Sequence, residues 1–131
     1  MATVEKLGFI GLGVMGGRMC RNLAEKAGKP VIAYDVDSSK AAALATHGVT
    51  AASSVAELVG QTDMIFMCVP GEPQVREVVF GSGELLGHAR AGQTLVDMTT
   101  ATVEVNREVA AALAEKNVAF ADAPVARGVP A

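Results

Sequence analysis

Apolar residues in this chain form short continuous runs, separated by longer segments in which they recur every three or four positions. Continuous runs of this length predict buried β-strands, and the wider spacing predicts helices with one apolar face. Met64–Val69 is apolar at every position, so we expect it to be buried on both faces of a parallel sheet. The predicted strands are Leu7–Ile10, Pro30–Tyr34, Val49–Ala52, Met64–Val69, Thr94–Met98 and Val118–Ala121.

Small polar residues and glycines mark the ends of the predicted helices. Ser38 is expected to be the N-cap of a helix that runs to about Thr46 and closes at Gly48. Another helix is expected from about Val103 to Lys116. Strands and helices alternate throughout, which predicts one α/β domain over residues 1–131 with a doubly wound, mostly parallel, Rossmann-type sheet of strand order 3-2-1-4-5-6. Ligands of such sheets bind outside the carboxyl ends of the strands, so functional residues are expected just after the strands.

The turn between the first strand and the first helix has the pattern GxGxxG, formed by Gly11, Gly13 and Gly16. In dinucleotide-binding turns the first glycine permits the sharp bend, the second lets the ligand approach the backbone, and the third lets helix and strand pack closely. The helix N-terminus then presents unpaired N–H groups to a pyrophosphate. A purely structural turn is the alternative, but the strand before it and the helix after it favour a dinucleotide site.

Further candidate residues follow the other strands. Asp35 ends the second strand, where a carboxylate can accept hydrogen bonds from both hydroxyls of an adenine ribose and repels a 2′-phosphate. The residues after it include no basic side chain before Lys40, so NAD is expected rather than NADP. Val69 and Pro70 are expected to form a wall of the site, and a simple strand end is the alternative role. Thr99 and Thr100 place two hydroxyls just beyond the next strand and are expected near the nicotinamide half, although capping of the next helix is an alternative role for these hydroxyls.

Composition narrows the possible partners and compartment. The 131 residues carry a net charge of −3 with scattered basic residues, which argues against nucleic acid and anionic membranes as partners. The chain has no apolar run of the roughly 18–20 residues that a membrane helix requires, and no signal peptide is recognised. Cys20 and Cys68 lie in separate apolar segments and are expected to be free thiols, so we predict a cytoplasmic protein. Nothing in the spacing of His, Cys and carboxylates predicts a metal site.

Four segments together resemble the β-hydroxyacid dehydrogenases, a family that includes 3-hydroxyisobutyrate dehydrogenase and tartronate semialdehyde reductase, with 6-phosphogluconate dehydrogenase as a larger relative. The resemblance covers essentially the whole chain. It implies an oxidoreductase that transfers a hydride between NAD and a small 3-hydroxyacid or semialdehyde. The segments that carry it are GFIGLGVMGGRMCRNL, CVPGEPQVREVVFG, LVDMTTAT and DAPVARG.

Carried over position by position, the resemblance implies a set of cofactor contacts. Asp35 would contact the adenosine ribose, Val69 and Pro70 would lie beside the cofactor, and Thr100 would lie near the nicotinamide ribose. The remaining contacts would come from the glycine turn, with the pyrophosphate at Val14 and Met15; these turn residues are Gly11, Leu12, Gly13, Val14, Met15 and Gly16.

The last segment resembles the substrate-binding Asp-Ala-Pro-Val-Ser-Gly-Gly stretch of that family, with two departures. Ala126 stands where a serine is usual and Arg127 where a glycine is usual, whereas Gly128 is kept. The resemblance implies substrate contacts at these three positions. Arg127 can grip an anionic substrate group bidentately, and a solvated surface side chain is the alternative.

In the family, the catalytic lysine belongs to a following helical domain, which also closes over the substrate. None of the lysines in this chain matches that position, so we expect no catalytic residue here. We expect binding of NAD with little or no turnover, and a homo-oligomer only for the full-length protein. The lysines are Lys6, Lys26, Lys29, Lys40 and Lys116.

Two other classes of protein remain as alternatives. A stand-alone regulatory module would bind NAD(H) without chemistry, although the substrate-like segment 122–128 argues against it. A methyltransferase that uses S-adenosylmethionine also has glycine turns and an acid at a strand end. The complete GxGxxG pattern disfavours the methyltransferase.

Overall fold

The computed structural model describes residues 4–82 and 84–123. Within those residues the chain alternates between strand and helix, with a 3-10 turn at Ala45–His47 between the second helix and the third strand. The strands are β1 (Leu7–Ile10), β2 (Val31–Tyr34), β3 (Val49–Ala51), β4 (Met64–Met67), β5 (Thr94–Asp97) and β6 (Ala119–Asp122). The helices are α1 (Val14–Lys26), α2 (Ser38–Ala43), α3 (Val55–Gln61), α4 (Glu72–Val79), α5 (Leu85–His88) and α6 (Val103–Ala114).

The described strands form one parallel sheet in the order β3-β2-β1-β4-β5-β6, which confirms the predicted topology. The order reverses between β1 and β4, because β2 and β3 extend the sheet to one side of β1 and β4 to β6 extend it to the other. Crevices for ligands open at such a point, outside the carboxyl ends of the strands. The register pairs Ile10 with Tyr34 and Met67, so the ends of β1, β2 and β4 lie side by side.

Two hydrophobic clusters pack against the two faces of the sheet. One face, covered by α1 and α2, includes Phe9, Val31 and the buried Cys20. The other face packs against α3, α4, α5 and α6, and its core includes Leu58 and Leu113. Burial of these apolar side chains supplies the main driving force for folding.

The distribution of helices corrects the prediction for the fourth strand. Met64 and Phe66 point to the face of α1 and α2 and are only half-buried, whereas Ile65 and Met67 point to the opposite face and are buried. The expectation that Met64–Val69 is buried on both faces is therefore wrong. The two helices on the first face lie over β1, β2 and β3, and the described residues place no helix over β4 to β6 on that side.

The start of α2 corrects a second prediction. The N-cap is Asp37, not Ser38: the Asp37 carboxylate accepts hydrogen bonds from the Ser39 N–H at 3.1 Å and from the Ser39 hydroxyl at 2.6 Å. A carboxylate is at least as good an N-cap as a serine hydroxyl, and its charge suits the positive end of the helix. The helix is also shorter than expected, because it ends at Ala43 and a 3-10 turn carries the chain to Gly48, whose φ is +84°.

No helix among residues 4–82 and 84–123 has the length and apolar character needed to cross a lipid bilayer.

Candidate functional site

The glycine turn brings the end of β1 into direct backbone contact with the segment after β4. Gly11 has φ +97°, a conformation that L side chains rarely adopt, and a Cβ placed on it would overlap the carbonyl oxygen of Cys68. A Cβ on Gly16 would overlap the carbonyl oxygen of Gly11. These two positions therefore accept only glycine without a backbone shift, as the sequence predicts for the first and third glycines of the pattern.

Gly13 differs from the other two, because an added Cβ would meet no heavy atom within 4 Å. It is the N-cap of α1, and no side-chain acceptor caps the helix and no acidic residue lies in its first turn. The N–H groups of that turn are thus left without side-chain partners among the described residues. A helix N-terminus in this condition attracts an anionic group through its N–H donors and its positive partial charge.

Asp35 joins the glycine turn to the end of β2. Its Oδ1 accepts the N–H of Leu12 at 3.0 Å, and its Oδ2 accepts the N–H of Asp37 at 3.0 Å. An ionised carboxylate has about four acceptor positions, so each oxygen keeps capacity for a second donor such as a ribose hydroxyl. The half-buried side chain therefore fixes the turn and still faces the cavity described next.

A cavity of about 470 Å³ opens at the carboxyl ends of β1, β2 and β4, which is within the size range of ligand sites. The glycine turn forms its floor, Asp35 and Val36 form one side, and Val69 and Pro70 form the other. The described residues that line it are Ile10, Gly11, Gly13, Met15, Gly16, Tyr34, Asp35, Val36, Lys40, Cys68, Val69, Pro70, Gln74, Glu77 and Val78.

The structure groups most, but not all, of the predicted cofactor residues. Leu12 and Val14 line a shallower depression between α1 and α2 that shares Gly13 and Lys40 with the cavity. Thr100 is exposed just beyond β5 and lines neither space. The predicted substrate residues Ala126, Arg127 and Gly128 lie outside the described residues. Those that line the cavity are Gly11, Gly13, Met15, Gly16, Asp35, Val69 and Pro70.

Sequence reasoning missed the residues that α2 and α4 add to the cavity. Gln74, Glu77 and Val78 form a wall from α4, and Lys40 reaches the cavity from α2. The spacing of Gln74, Glu77 and Val78 places them on one side of a helix, which is a visible signal. Their sequence does not show that this side faces the glycine turn.

Two buried polar residues lie behind the cavity. The sequence analysis missed Asp97 and placed Thr99 only near the site. Asp97 is completely buried and Thr99 is 2% exposed. Asp97 Oδ1 accepts the Thr99 N–H at 2.9 Å, and the Thr99 hydroxyl accepts the Val69 N–H at 3.0 Å. Burial raises the pKa of the Asp97 carboxyl, and so does the nearby negative charge of Asp122, although the hydrogen bonds from Thr99 oppose this shift.

The two cysteines are free, as predicted, and are not bonded to each other. Burial raises the pKa of the Cys20 thiol to about 12, and it also raises the pKa of Cys68, which lies half-buried beside the cavity. Neither residue has the lowered pKa that marks a reactive thiolate.

The fold and the glycine turn place the chain among the dinucleotide-binding α/β domains, and comparison with known proteins identifies the family. Residues 6–131 match the family described as the NAD binding domain of 6-phosphogluconate dehydrogenase, and the chain belongs to that family.

Individual relatives agree with this assignment. Mitochondrial 3-hydroxyisobutyrate dehydrogenase of Mus musculus is 37% identical over 131 residues, which is 100% of this chain and 39% of the relative. The solved structure of Mycobacterium tuberculosis 3-hydroxyisobutyrate dehydrogenase with L-serine has a TM-score of 0.85 at 32% identity and covers 97% of this chain and 42% of that chain. Psf3 in complex with NADP+ and 2-OPP has a TM-score of 0.84 at 28% identity, covering 94% and 43%. The chain thus spans about two-fifths of the length of these proteins.

We predict that Gly16→Ala destabilises the protein, because the new methyl group overlaps the Gly11 carbonyl oxygen. Overpacking of this kind costs about 1–3 kcal/mol, more than alanine gains in helix propensity. Urea unfolding measures the change. Gly17→Ala is the matched control in the same helix turn, since its Cβ would lie 3.4 Å from the nearest atom, an ordinary contact. Equal stability of the two variants would show that the close approach at Gly16 is not a constraint.

We also predict a pH-dependent stability difference between the natural chain and Asp97→Asn. The folded-state pKa of Asp97 lies above its ordinary value of 3.8, so between these two values the folded state holds a proton that the unfolded state has released. Stability contributed by this group is therefore lost as pH rises through that window. Asn does not titrate, so the stability of the natural chain relative to the variant should fall from about pH 4 upward.

Thermal unfolding of both proteins across pH measures this difference. Carboxyls with lowered pKa, such as Asp63 and Glu108, have the opposite pH dependence, but they are present in both proteins and cancel. A difference that stays constant with pH would contradict the prediction.

Proposed function

We propose that this chain is the cofactor-binding part of an oxidoreductase that transfers a hydride between a nicotinamide dinucleotide and a small 3-hydroxyacid or its semialdehyde. The observation that carries the proposal is the cavity at the reversal of strand order, where an uncapped helix N-terminus, Asp35 and the Val69–Pro70 wall face one space. The helix end suits a pyrophosphate, the carboxylate suits ribose hydroxyls, and the apolar wall suits a planar base.

Two relatives support the substrate class. The mouse and mycobacterial proteins are dehydrogenases of 3-hydroxyisobutyrate, and the mycobacterial structure contains L-serine. Both compounds are carboxylates with a primary alcohol on the carbon next to the carboxylate-bearing carbon. Oxidation of such an alcohol gives a semialdehyde, and the nicotinamide accepts the hydride. We extend this class to the reaction in which the present chain takes part.

NAD is the proposed cofactor, because the Asp35 carboxylate would repel a 2′-phosphate and accept ribose hydroxyls. Two observations favour NADP as the second candidate: Lys40 lines the same cavity, and Psf3 was solved with NADP+. A lysine in this position can pair with a 2′-phosphate through its charge.

The proposal also covers the catalytic group, the oligomer interface and the cellular compartment. A general acid or base for the alcohol proton is supplied by a lysine outside this chain, in a helical domain that also forms the oligomer interface. The chain alone then binds cofactor with little turnover. A compartment that keeps thiols reduced, such as the cytoplasm, suits the two free cysteines. The alternative is a regulatory module that binds NAD(H) without chemistry; Arg127 and its neighbours would then contact no substrate.

We predict that Gly13→Ala weakens dinucleotide binding without loss of stability. Its φ of −64° suits any residue, and its added methyl would meet no protein atom, so the fold should tolerate it. The same methyl occupies the space through which a pyrophosphate approaches the turn, and the loss of one or two charge-assisted hydrogen bonds corresponds to about tenfold or more in Kd. Calorimetric titration with NADH and NADPH measures binding.

Gly60→Ala is the control, since its Cβ in α3 also meets nothing within 4 Å. It should bind as the natural chain does. If Gly13→Ala also binds as the natural chain does, the ligand does not lie over the turn. Failure of the natural chain to bind either dinucleotide would contradict the proposal for the chain alone.

We predict that Lys40→Ala leaves NADH affinity within about twofold and weakens NADPH binding by about fivefold or more, because an exposed to partly buried charge pair contributes about 1 kcal/mol. Lys29→Ala is the matched control. It removes a lysine that precedes β2, at the amino ends of the strands and away from the cavity. In the natural chain NADH should bind more tightly than NADPH. Tighter binding of NADPH, abolished by Lys40→Ala, would reverse the proposed cofactor preference.

A further inference from the structure

The wall of the cavity begins where the hydrogen-bond ladder of β4 ends. Cys68 is the last residue of this segment to donate in the ladder, with its N–H bonded to the Ile10 carbonyl oxygen at 2.8 Å. The next N–H, that of Val69, instead donates to the hydroxyl oxygen of Thr99 at 3.0 Å. A side chain from the neighbouring segment thus takes over the position of a strand partner. Because a partly buried N–H without an acceptor is costly, this bond determines where the chain goes after β4.

Thr99 is held in turn by Asp97. The Asp97 carboxylate accepts the N–H two residues later at 2.9 Å, which is the hydrogen bond of an Asx turn, and it bends the chain as β5 ends. The bend points the Thr99 hydroxyl at β4. The second carboxyl oxygen of Asp97 has no partner among the described residues. A buried carboxyl with an unpaired oxygen weakens the fold, and packing alone would be served better by an apolar residue.

The segment that Thr99 holds lies directly against the glycine turn. A Cβ on Gly11 would come within 3.0 Å of Val69 Cγ1, and Val69 and Pro70 both line the cavity. A small displacement of Val69 would therefore change the width of the space between the turn and the wall.

We propose that Asp97 and Thr99 are positioning residues for dinucleotide binding: the buried Asx turn fixes the Thr99 hydroxyl, which fixes Val69 and so sets the distance between the cavity wall and the glycine turn. This inference rests on the proposed function, because the width of the cavity matters only if a dinucleotide occupies it. Neither residue touches the cavity, so both act through Val69.

The test compares Thr99→Val, which keeps the shape and removes the hydroxyl, with Thr99→Ser, which keeps the hydroxyl. Thr62→Val is the matched control. Thr62 is fully buried, and its hydroxyl donates to the Leu58 carbonyl oxygen at 2.9 Å. It precedes β4, at the end of the strand away from the cavity. Each protein is measured in three ways: NMR amide hydrogen exchange at Val69, thermal unfolding, and calorimetric titration with NADH.

Thr99→Val should increase exchange at Val69 and weaken NADH binding about tenfold, because the ligand must then hold in place a Val69 segment that the Thr99 hydrogen bond no longer fixes. Tenfold in Kd corresponds to about 1.4 kcal/mol, the size of one lost hydrogen bond. Thr99→Ser should restore both properties toward those of the natural chain. Thr99→Val and Thr62→Val should lower the unfolding temperature by similar amounts. Thr62→Val, however, should change neither the exchange at Val69 nor the affinity for NADH. Asp97→Ala and Asp97→Asn provide a second pair, because only Asn keeps an oxygen that accepts the Thr99 N–H.

Unchanged exchange at Val69 in Thr99→Val would overturn the inference whether or not NADH binds. Faster exchange with unchanged NADH affinity would also overturn it, because the wall would then move without consequence for the ligand. If the natural chain binds neither NADH nor NADPH, the proposed function fails for the chain alone, and exchange at Val69 by itself decides whether Thr99 holds the wall.

Discussion

The close contact between the backbone of Gly11 and the carbonyl group of Cys68 is the constraint on which the site depends. It is possible only because Gly11 has no side chain and adopts a φ of +97°. The contact brings the ends of β1 and β4 together where the strand order reverses, and the Gly11 carbonyl oxygen then leaves no room for a side chain at Gly16. The beginning of α1 is thereby placed over the ends of the strands, and the cavity is the space that remains between these backbone segments.

Acidic side chains hold this arrangement from two sides. Asp35 accepts the N–H of Leu12 in the turn and the N–H of Asp37, the N-cap of α2. On the other side, Asp97 accepts the N–H of Thr99, whose hydroxyl accepts the Val69 N–H. Each carboxylate satisfies backbone donors at a strand end, where the ladder can no longer do so. The same hydrogen-bonding capacity that completes the fold therefore shapes the surface that a ligand meets.

Much of this architecture could be predicted from the sequence because it depends on local patterns. Short apolar runs alternating with helices predict the sheet order, and the glycine spacing predicts the turn at Gly11. Asp35, Val69 and Pro70 could be recognised because residues just after parallel strands share one edge of the sheet. The strand order places the ends of β1, β2 and β4 side by side, so these distant residues could be predicted to lie in one site.

The rest depends on packing between elements, which the sequence shows less directly. Asp97 lies within a predicted strand, and its role depends on the register that sets β5 beside β4. Gln74, Glu77 and Val78 could be assigned to the cavity only by knowing which side of α4 faces the turn. Asp37 and Ser38 are both good capping residues, and the choice between them rests on a hydrogen bond to the Ser39 N–H that only the folded turn displays. Right-handed crossovers place α1 and α2 on one face and the later helices on the other, which explains the half-burial of Phe66.

This uneven distribution of helices divides the sheet into two parts with different protection from solvent. β1 and β2 are packed on both faces, whereas β4 and β5 are fully buried on one face only and β6 is largely exposed. Regions with fewer buried apolar contacts open at lower free energy than the rest of a fold. The floor of the cavity belongs to the better protected part, and the Val69–Pro70 wall is attached to the less protected part. A ligand that bridges floor and wall would therefore contact the more protected and the less protected part of the sheet at once.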